Sequence, residues 1–328
     1  MANQREEKAR QAATMYYLED LTMETIARKL SMSRSSVSRL LAYARQAGIV
    51  TISIAAADDS VNIQRDAFYR LWSVRAHIIP VPRHTPALKR LRYVCKVAAQ
   101  DLADIIQPHD TVGLAWGNTT TELVGNLPQR TIPHVTFVQL NGAASTEVTA
   151  VPHAEYIIGV AAQSFNAHSI QFPAPAFFDN PETKQAMWKE SSIRRVLEIR
   201  QQCDIAVFGI GSLEAEVPSR VYAGGYFTHQ ELLRMEAQNV AGDVCTLVVR
   251  EDGSWSDIEF NQRTTGPTPE ELSQIPRRMA VVADRSKSRA IIGALNAGVI
   301  TDLYIDDISA GALLKRVETT HALRDHHR

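Results

Sequence analysis

From residue 62 onward the chain alternates short, continuously apolar runs with longer stretches of helical periodicity, and no other feature narrows its fold as much. The runs include Ala76-His77-Ile78-Ile79-Pro80-Val81, Thr111-Val112-Gly113-Leu114-Ala115, 134–140, Asp204-Ile205-Ala206-Val207-Phe208-Gly209, 244–250, Met279-Ala280-Val281-Val282-Ala283 and Leu303-Tyr304-Ile305-Asp306. Uninterrupted apolar character predicts strands buried on both faces. The segments 62–72, 88–106, 118–126, 152–166, 187–201, 286–296 and 308–317 predict the helices that cover them. Alternation of this kind specifies an α/β domain with a mostly parallel, Rossmann-like sheet, which binds ligands at the carboxyl ends of its strands.

The N-terminal residues follow a different pattern. Segment 22–48, TMETIARKLSMSRSSVSRLLAYARQAG, predicts two short helices joined by a tight turn, after a first helix over 6–20. Ile26, Ala27 and Leu30 face inward on one helix; Val37, Leu40, Leu41 and Ala44 do so on the next. Thr22 and Ser33 are placed to cap the two helices. Ser33, Arg34, Ser35, Ser36, Ser38 and Arg39 are then the residues expected to touch DNA. Guanidinium forks pair with guanine and hydroxyls reach phosphate or base edges. The segment carries Arg28, Lys29, Arg34, Arg39 and Arg45 against Glu24 alone. It is a basic patch in a chain of net charge −1, which confines any nucleic-acid contact to this region. The pattern is that of a helix-turn-helix. Residues 49–54 alternate like a short strand. The small, polar run that follows divides the 328 residues into a helix-turn-helix domain (1–54), a linker (55–61) and a large domain (62–328) for effector binding and oligomerisation.

Four strand ends of the large domain carry small and polar residues: Gly113 to Thr120, Gln139 to Ala143, Gly209 to Ser212 and Ala283 to Lys287. Such loops offer backbone N–H groups and hydroxyls to an anion or a sugar. The enzyme motifs one would look for are missing. Gly209-Ile210-Gly211 is not a dinucleotide fingerprint, and there is neither a P-loop nor a GxSxG elbow. Cys95, Cys203 and Cys245 have no metal-ligand spacing, and His109, His134, His153, His168 and His229 are scattered. No metal or cofactor is expected. Asp306-Asp307 is expected to cap the last helix, and neither it nor Asp284 has a histidine partner for proton shuttling, so an enzyme is not expected. The polar N-terminus and the lack of a long apolar run predict a cytoplasmic protein.

The motifs I-A-R-K-L-S-M-S-R-S-S-V-S-R-L-L, G-L-A-W-G-N-T-T, V-Q-L-N-G, F-P-A-P-A, D-I-A-V-F-G-I-G, A-G-D-V-C, N-Q-R and V-A-D-R-S-K-S-R-A-I-I-G-A-L run almost end to end. With them the chain resembles the SorC family of bacterial transcriptional regulators, and within it the deoxyribonucleoside operon regulator type. The resemblance implies a sugar-binding domain similar to glucosamine-phosphate deaminases and ribose-phosphate isomerases, used as a sensor. It implies a homodimer or homotetramer on double-stranded operator DNA, a sugar-phosphate inducer, and repression of a carbohydrate or nucleoside operon. Position by position it implies effector binding by Asn118, Thr119, Thr120, Asn141, Gly142, Gln171 (with Phe172), Asn261, Arg263 and Lys287. Two departures bear on the effector. Asn141 stands where the deoxyribonucleoside regulators carry a lysine able to form a Schiff base. Ala283-Asp284-Arg285-Ser286-Lys287 replaces a glycine-rich A-G-G-x-x-K, and Asp284 would repel a phosphate that Arg285 attracts. A non-phosphorylated sugar or polyol is the alternative effector.

Overall fold

The computed structural model describes residues 2–50, 59–143, 153–217, 219–223 and 225–325. Two compact units emerge, Met1–Ala57 and Asp58–Arg328.

The first unit contains α1 (Ala2–Tyr17), α2 (Met23–Lys29) and α3 (Arg34–Gln46). Its core is Ala9, Ala12, Ala13, Ile26, Ala27, Val37, Leu41 and Ala44. Small alanines on α1 let α3 approach closely while Ile26 fills the centre. Both predicted caps form: the Thr22 hydroxyl accepts from the Thr25 N–H at 3.3 Å and the Ser33 hydroxyl from the Ser36 N–H at 3.2 Å. Leu18, expected on the buried stripe, is 80% exposed because α1 ends one residue earlier. Ile49 and Val50 pack on this core without forming a strand; the rest of the expected strand 49–54 lies outside the described residues.

The second unit runs α4 (Asp59–Trp72), β1 (Arg75–Ile79), α5 (Ala87–Ile105), β2 (Thr111–Leu114), α6 (Asn118–Val124), β3 (Thr136–Gln139), α7 (His153–Phe165), β4 (His168–Ile170), α8 (Pro181–Met187), α9 (Ser191–Gln201), β5 (Ile205–Gly211), α10 (Arg220–Ala223), α11 (His229–Ala237), β6 (Val240–Val244), β7 (Leu247–Arg250), α12 (Pro269–Ser273), β8 (Arg277–Val282), α13 (Ser288–Asn296), β9 (Asp302–Asp306) and α14 (Asp307–Asp325). Helix α4 begins inside the segment expected as linker, and Val61 is buried in the main core. The sheet order is β1-β9-β8-β5-β2-β3-β4, all pairs parallel. Side-chain alternation divides the core between its two faces. Ile205, Val207, Met279, Val281 and Tyr304 pack with α5, α6 and α7; Ala206, Phe208, Ala280, Val282, Leu303 and Ile305 pack with α4, α9, α13 and α14.

The expected single strand 244–250 is instead a hairpin: β6 pairs antiparallel with the end of β5 and with β7. The expected helix 187–201 starts later, at Ser191, as α9, and a separate helix, α8, which was not expected, precedes it over Pro181–Met187. Asp306 accepts from the Ser309 N–H at 3.0 Å and so caps α14 as expected, whereas Asp307 accepts from the Val81 N–H at 3.0 Å.

The chain leaves β2 for β3 and β4 on one side and returns to β5 on the other. The sheet therefore switches direction between β2 and β5, where diverging loops leave a crevice.

Candidate functional site

A cavity opens at that switch point. Its empty space, counting the open solvent at its mouth, is about 760 Å³. Residues 115–120 after β2, Gly209 to Gly211 of β5, the α10 segment with Arg220, the β6–β7 turn, and Asp284 and Lys287 after β8 line it. Three of the four predicted loops thus meet. The fourth, Gln139 to Ala143, stands behind the lining.

Among the predicted effector residues, Asn118, Thr119, Thr120 and Lys287 line the cavity. Thr119 and Thr120 are buried, and Lys287 Nζ donates to the Ile210 carbonyl at 2.8 Å. Burial lowers the Lys287 pKa, and the Asp284 and Asp243 carboxylates oppose that shift. Asp284 is largely occupied. It accepts from the Ser286 N–H and hydroxyl at 3.0 and 2.6 Å and from the Glu216 N–H at 2.8 Å. These donors spread its charge and weaken the repulsion of a phosphate. Arg285, exposed and 3.6 Å from Glu216, is not on the lining.

The other predicted effector residues are not brought to the cavity wall. Asn141 is buried beneath it, with Nδ2 3.5 Å from the Thr246 hydroxyl and Oδ1 unpartnered. Gly142 is a packing site: a Cβ there would come within 2.2 Å of the Pro175 carbonyl oxygen. Gln171 is exposed, and Phe172 packs against Trp188 in the core. Arg263 pairs with Glu231 at 2.6 Å and covers the Phe260 ring.

Asn261 clamps the hairpin. Its amide accepts from the Val248 N–H at 2.9 Å and donates to the Val248 and Trp255 carbonyls at 2.9 and 2.7 Å. Asn261→Ala strands those buried groups, and we expect a loss of about 1–3 kcal/mol of stability, measured as a lowered urea midpoint, with effector affinity retained.

Two residues the sequence reading passed over sit on the lining. Arg220 donates through Nε to Asn118 Oδ1 at 2.5 Å, bringing a cation to the loop after β2. Asp243, on β6, is buried, and its Oδ2 accepts from the Thr246 N–H at 3.2 Å. Its Oδ1 is buried against Gly211, and the Tyr222 hydroxyl stands beside the carboxyl. Burial pushes its carboxyl up to about 6, against the pull of Tyr222, the Thr246 N–H and Lys287. Gly211 is what admits it: a Cβ at that position would lie 1.8 Å from Asp243 Oδ1. The A-G-D-V-C motif marked the segment, but nothing in it gave the register that sets Asp243 opposite Gly211.

In the first unit, Arg34, Ser35, Ser38 and Arg39 are exposed, grouped at i, i+4 spacing on one face of α3. Ser36 is half-buried and Ser33 serves as the cap; their hydroxyls lie 2.9 Å apart. Arg39 Nη2 donates to the Ser36 hydroxyl at 3.3 Å. Arg34 is 3.8 Å from Glu24, both exposed, a pairing of small energetic weight.

Known proteins resemble the chain over most of its length. Residues 69–315 match the Sugar-bind family model, described as a putative sugar-binding domain, and residues 6–47 match Sigma-70, region 4. The chain is 28% identical to the deoxyribonucleoside regulator of Bacillus subtilis (strain 168), covering 96% of this chain and 99% of that one. It is 27% identical to the sorbitol operon regulator of Klebsiella pneumoniae, covering 92% and 96%. Among solved structures, full-length SorC from Klebsiella pneumoniae aligns with a TM-score of 0.75 at 26% identity, over 93% of this chain and 97% of that one. A domain of a possible sugar-binding transcriptional regulator from Arthrobacter aurescens TC1 aligns with a TM-score of 0.73 at 35% identity, over 79% and 99%.

Proposed function

The chain belongs to the Sugar-bind family, in the SorC group of DNA-binding transcriptional regulators, and from that premise we propose that its cavity binds a phosphorylated sugar that controls operator binding. The buried Asp243 carboxylate on the cavity lining, beside Lys287, carries this reading. A carboxylate on a ligand cavity's wall is an acceptor for an effector hydroxyl. Lys287, Arg220 and the hydroxyls of Thr119 and Thr120 supply the complementary donors for a phosphate. Arg34, Ser35, Ser38 and Arg39 contact operator DNA, with Ser33 and Ser36 shaping the start of the helix. The large units associate as a homodimer or homotetramer, spacing paired α3 helices by about 34–36 Å or a multiple of it. The effector binds one arrangement better, and the population shifts toward the DNA-free state. The protein acts as a repressor and a sensor, not as an enzyme, a reading supported by its relatives' being named regulators.

A thermal-shift panel of sugars, polyols and their phosphates tests the reading. A phosphorylated sugar should raise the melting temperature at concentrations where its parent sugar does not. A shift by sorbitol alone would favour the neutral polyol, and no shift by any member would overturn the sugar reading. Lys287→Ala is expected to weaken the phosphorylated ligand about tenfold while leaving effector-free DNA binding unchanged. A gel-shift titration and the same thermal panel measure both.

A further inference from the structure

The cavity floor contains a backbone conformation that its residues disfavour. Strands β6 and β7 are joined by only two residues, Cys245 and Thr246, with φ of +50° and +72°. A two-residue hairpin with both φ values positive is the geometry that selects Asn-Gly, and a β-branched residue is among the worst for it. Both residues line the cavity.

The surroundings hold the turn in place. The Thr246 hydroxyl donates to the Cys245 carbonyl and lies 2.8 Å from the Thr264 hydroxyl, which also donates to the Thr246 carbonyl at 3.0 Å. Asn141 Nδ2 reaches the Thr246 hydroxyl at 3.5 Å. Gly266 makes room for the Cys245 carbonyl, since a Cβ there would lie 1.8 Å from it. One product of this arrangement bears on the cavity wall: the Thr246 N–H donates to Asp243 Oδ2 and fixes the orientation of that carboxylate on the lining. Strained backbone over-determined by its neighbours gathers at ligand clamps.

We propose that Thr246 is a positioning residue for effector recognition, holding Asp243 in its receiving orientation through a turn that Thr264 and Asn141 keep closed. This rests on the reading of the cavity as an effector site. Asn141 then acts through Thr246, which accounts for a predicted site residue lying behind the wall. The other groups around Asp243 are Tyr222 and Ser219 beside α10, Lys287 after β8, and Cys245 in the turn.

The test compares the full-length protein with Thr246→Val, Thr246→Gly and Thr264→Ala. Asp243 is followed by carbon NMR of its carboxyl, assigned with Asp243→Asn, and ribose 5-phosphate is the binding probe. Thr246→Val keeps the strain and loses the hydroxyl ties, so the turn should open. Asp243 should then titrate at higher pH than in the parent, with probe affinity down about tenfold. Thr246→Gly adopts φ +72° without strain and should keep the parental titration. Thr264→Ala removes the tie from the other side, leaves residues 243–246 intact, and should move Asp243 in the same direction as Thr246→Val; it stands in if that variant does not fold. Parental titration in both Thr246→Val and Thr264→Ala would overturn the proposal and leave the turn merely structural. If ribose 5-phosphate does not bind the parent, the choice of effector class fails, and the titration comparison still decides the role of Thr246.

Discussion

Asp243→Asn is expected to lose effector response while keeping effector-free DNA affinity. An effector hydroxyl donates to a charged acceptor in the parent and to a neutral amide oxygen in the variant. Hydrogen bonds to charged groups contribute roughly 1.5–3 kcal/mol, so effector affinity should fall about 10- to 100-fold. The same substitution should stabilise the unliganded protein at neutral pH. Burial pushes the Asp243 carboxyl up to about 6 in the fold, against about 3.9 in an unfolded chain. Between those values the folded chain holds a proton that the unfolded chain has released. Stability therefore falls as pH rises through that window, by about 2–3 kcal/mol in all. At pH 7 the parent carries this cost and the variant does not; at pH 4 they should be equal. Effector affinity in the parent runs the other way. It is full above pH 6 and weakens as pH drops below it, because the protonated carboxyl no longer accepts two hydrogen bonds as an anion. Calorimetric titration from pH 5 to 8 and urea unfolding at pH 4 and 7 measure both. An Asn variant with parental affinity would remove Asp243 from the site.

Arg39→Ala is expected to reduce operator affinity by roughly 1–3 kcal/mol, about 5- to 150-fold, at fixed salt. Arg39 is exposed near the middle of α3, and its guanidinium is steadied by Ser36, so it reaches a groove without first breaking a buried pair. The form of the loss tells the contact. A base contact costs specific binding far more than non-specific binding. A phosphate contact weakens both alike and lowers the salt slope by about 1. Gel-shift titrations at several salt concentrations, using an operator selected from random-sequence DNA, separate the two. Unchanged affinity would remove α3 as the reading helix.

Legibility varied with the range of the interaction that fixed each feature. Helix α3 was readable because Ser33, Val37, Leu41 and Ala44 act within a few turns of one another. The parallel strands were readable because burial on both faces leaves an unbroken apolar run, as in β5 and β8. The β6–β7 hairpin was not, since Cys245-Thr246 carries none of the residues that mark a tight turn. The periodic segment 187–201 was readable only as α9, which begins at Ser191.

The candidate site divides the same way. Asn118, Thr119, Thr120 and Lys287 stand in loops that directly follow strands, and the family resemblance implies them as effector residues. Asp243 and Arg220 were missed because each reaches the cavity across a long separation in sequence: Asp243 by antiparallel pairing with Gly211, Arg220 by its bond to Asn118. Local periodicity and capping thus specified, from sequence alone, a helix-turn-helix followed by an α/β sheet with its ligand edge at the strand ends. Which polar side chains meet in the cavity, and which turn back to hold the walls as Asn261 and Asn141 do, was decided by tertiary structure. Those pairings depend on register and packing between segments far apart in the chain, which no local pattern encodes.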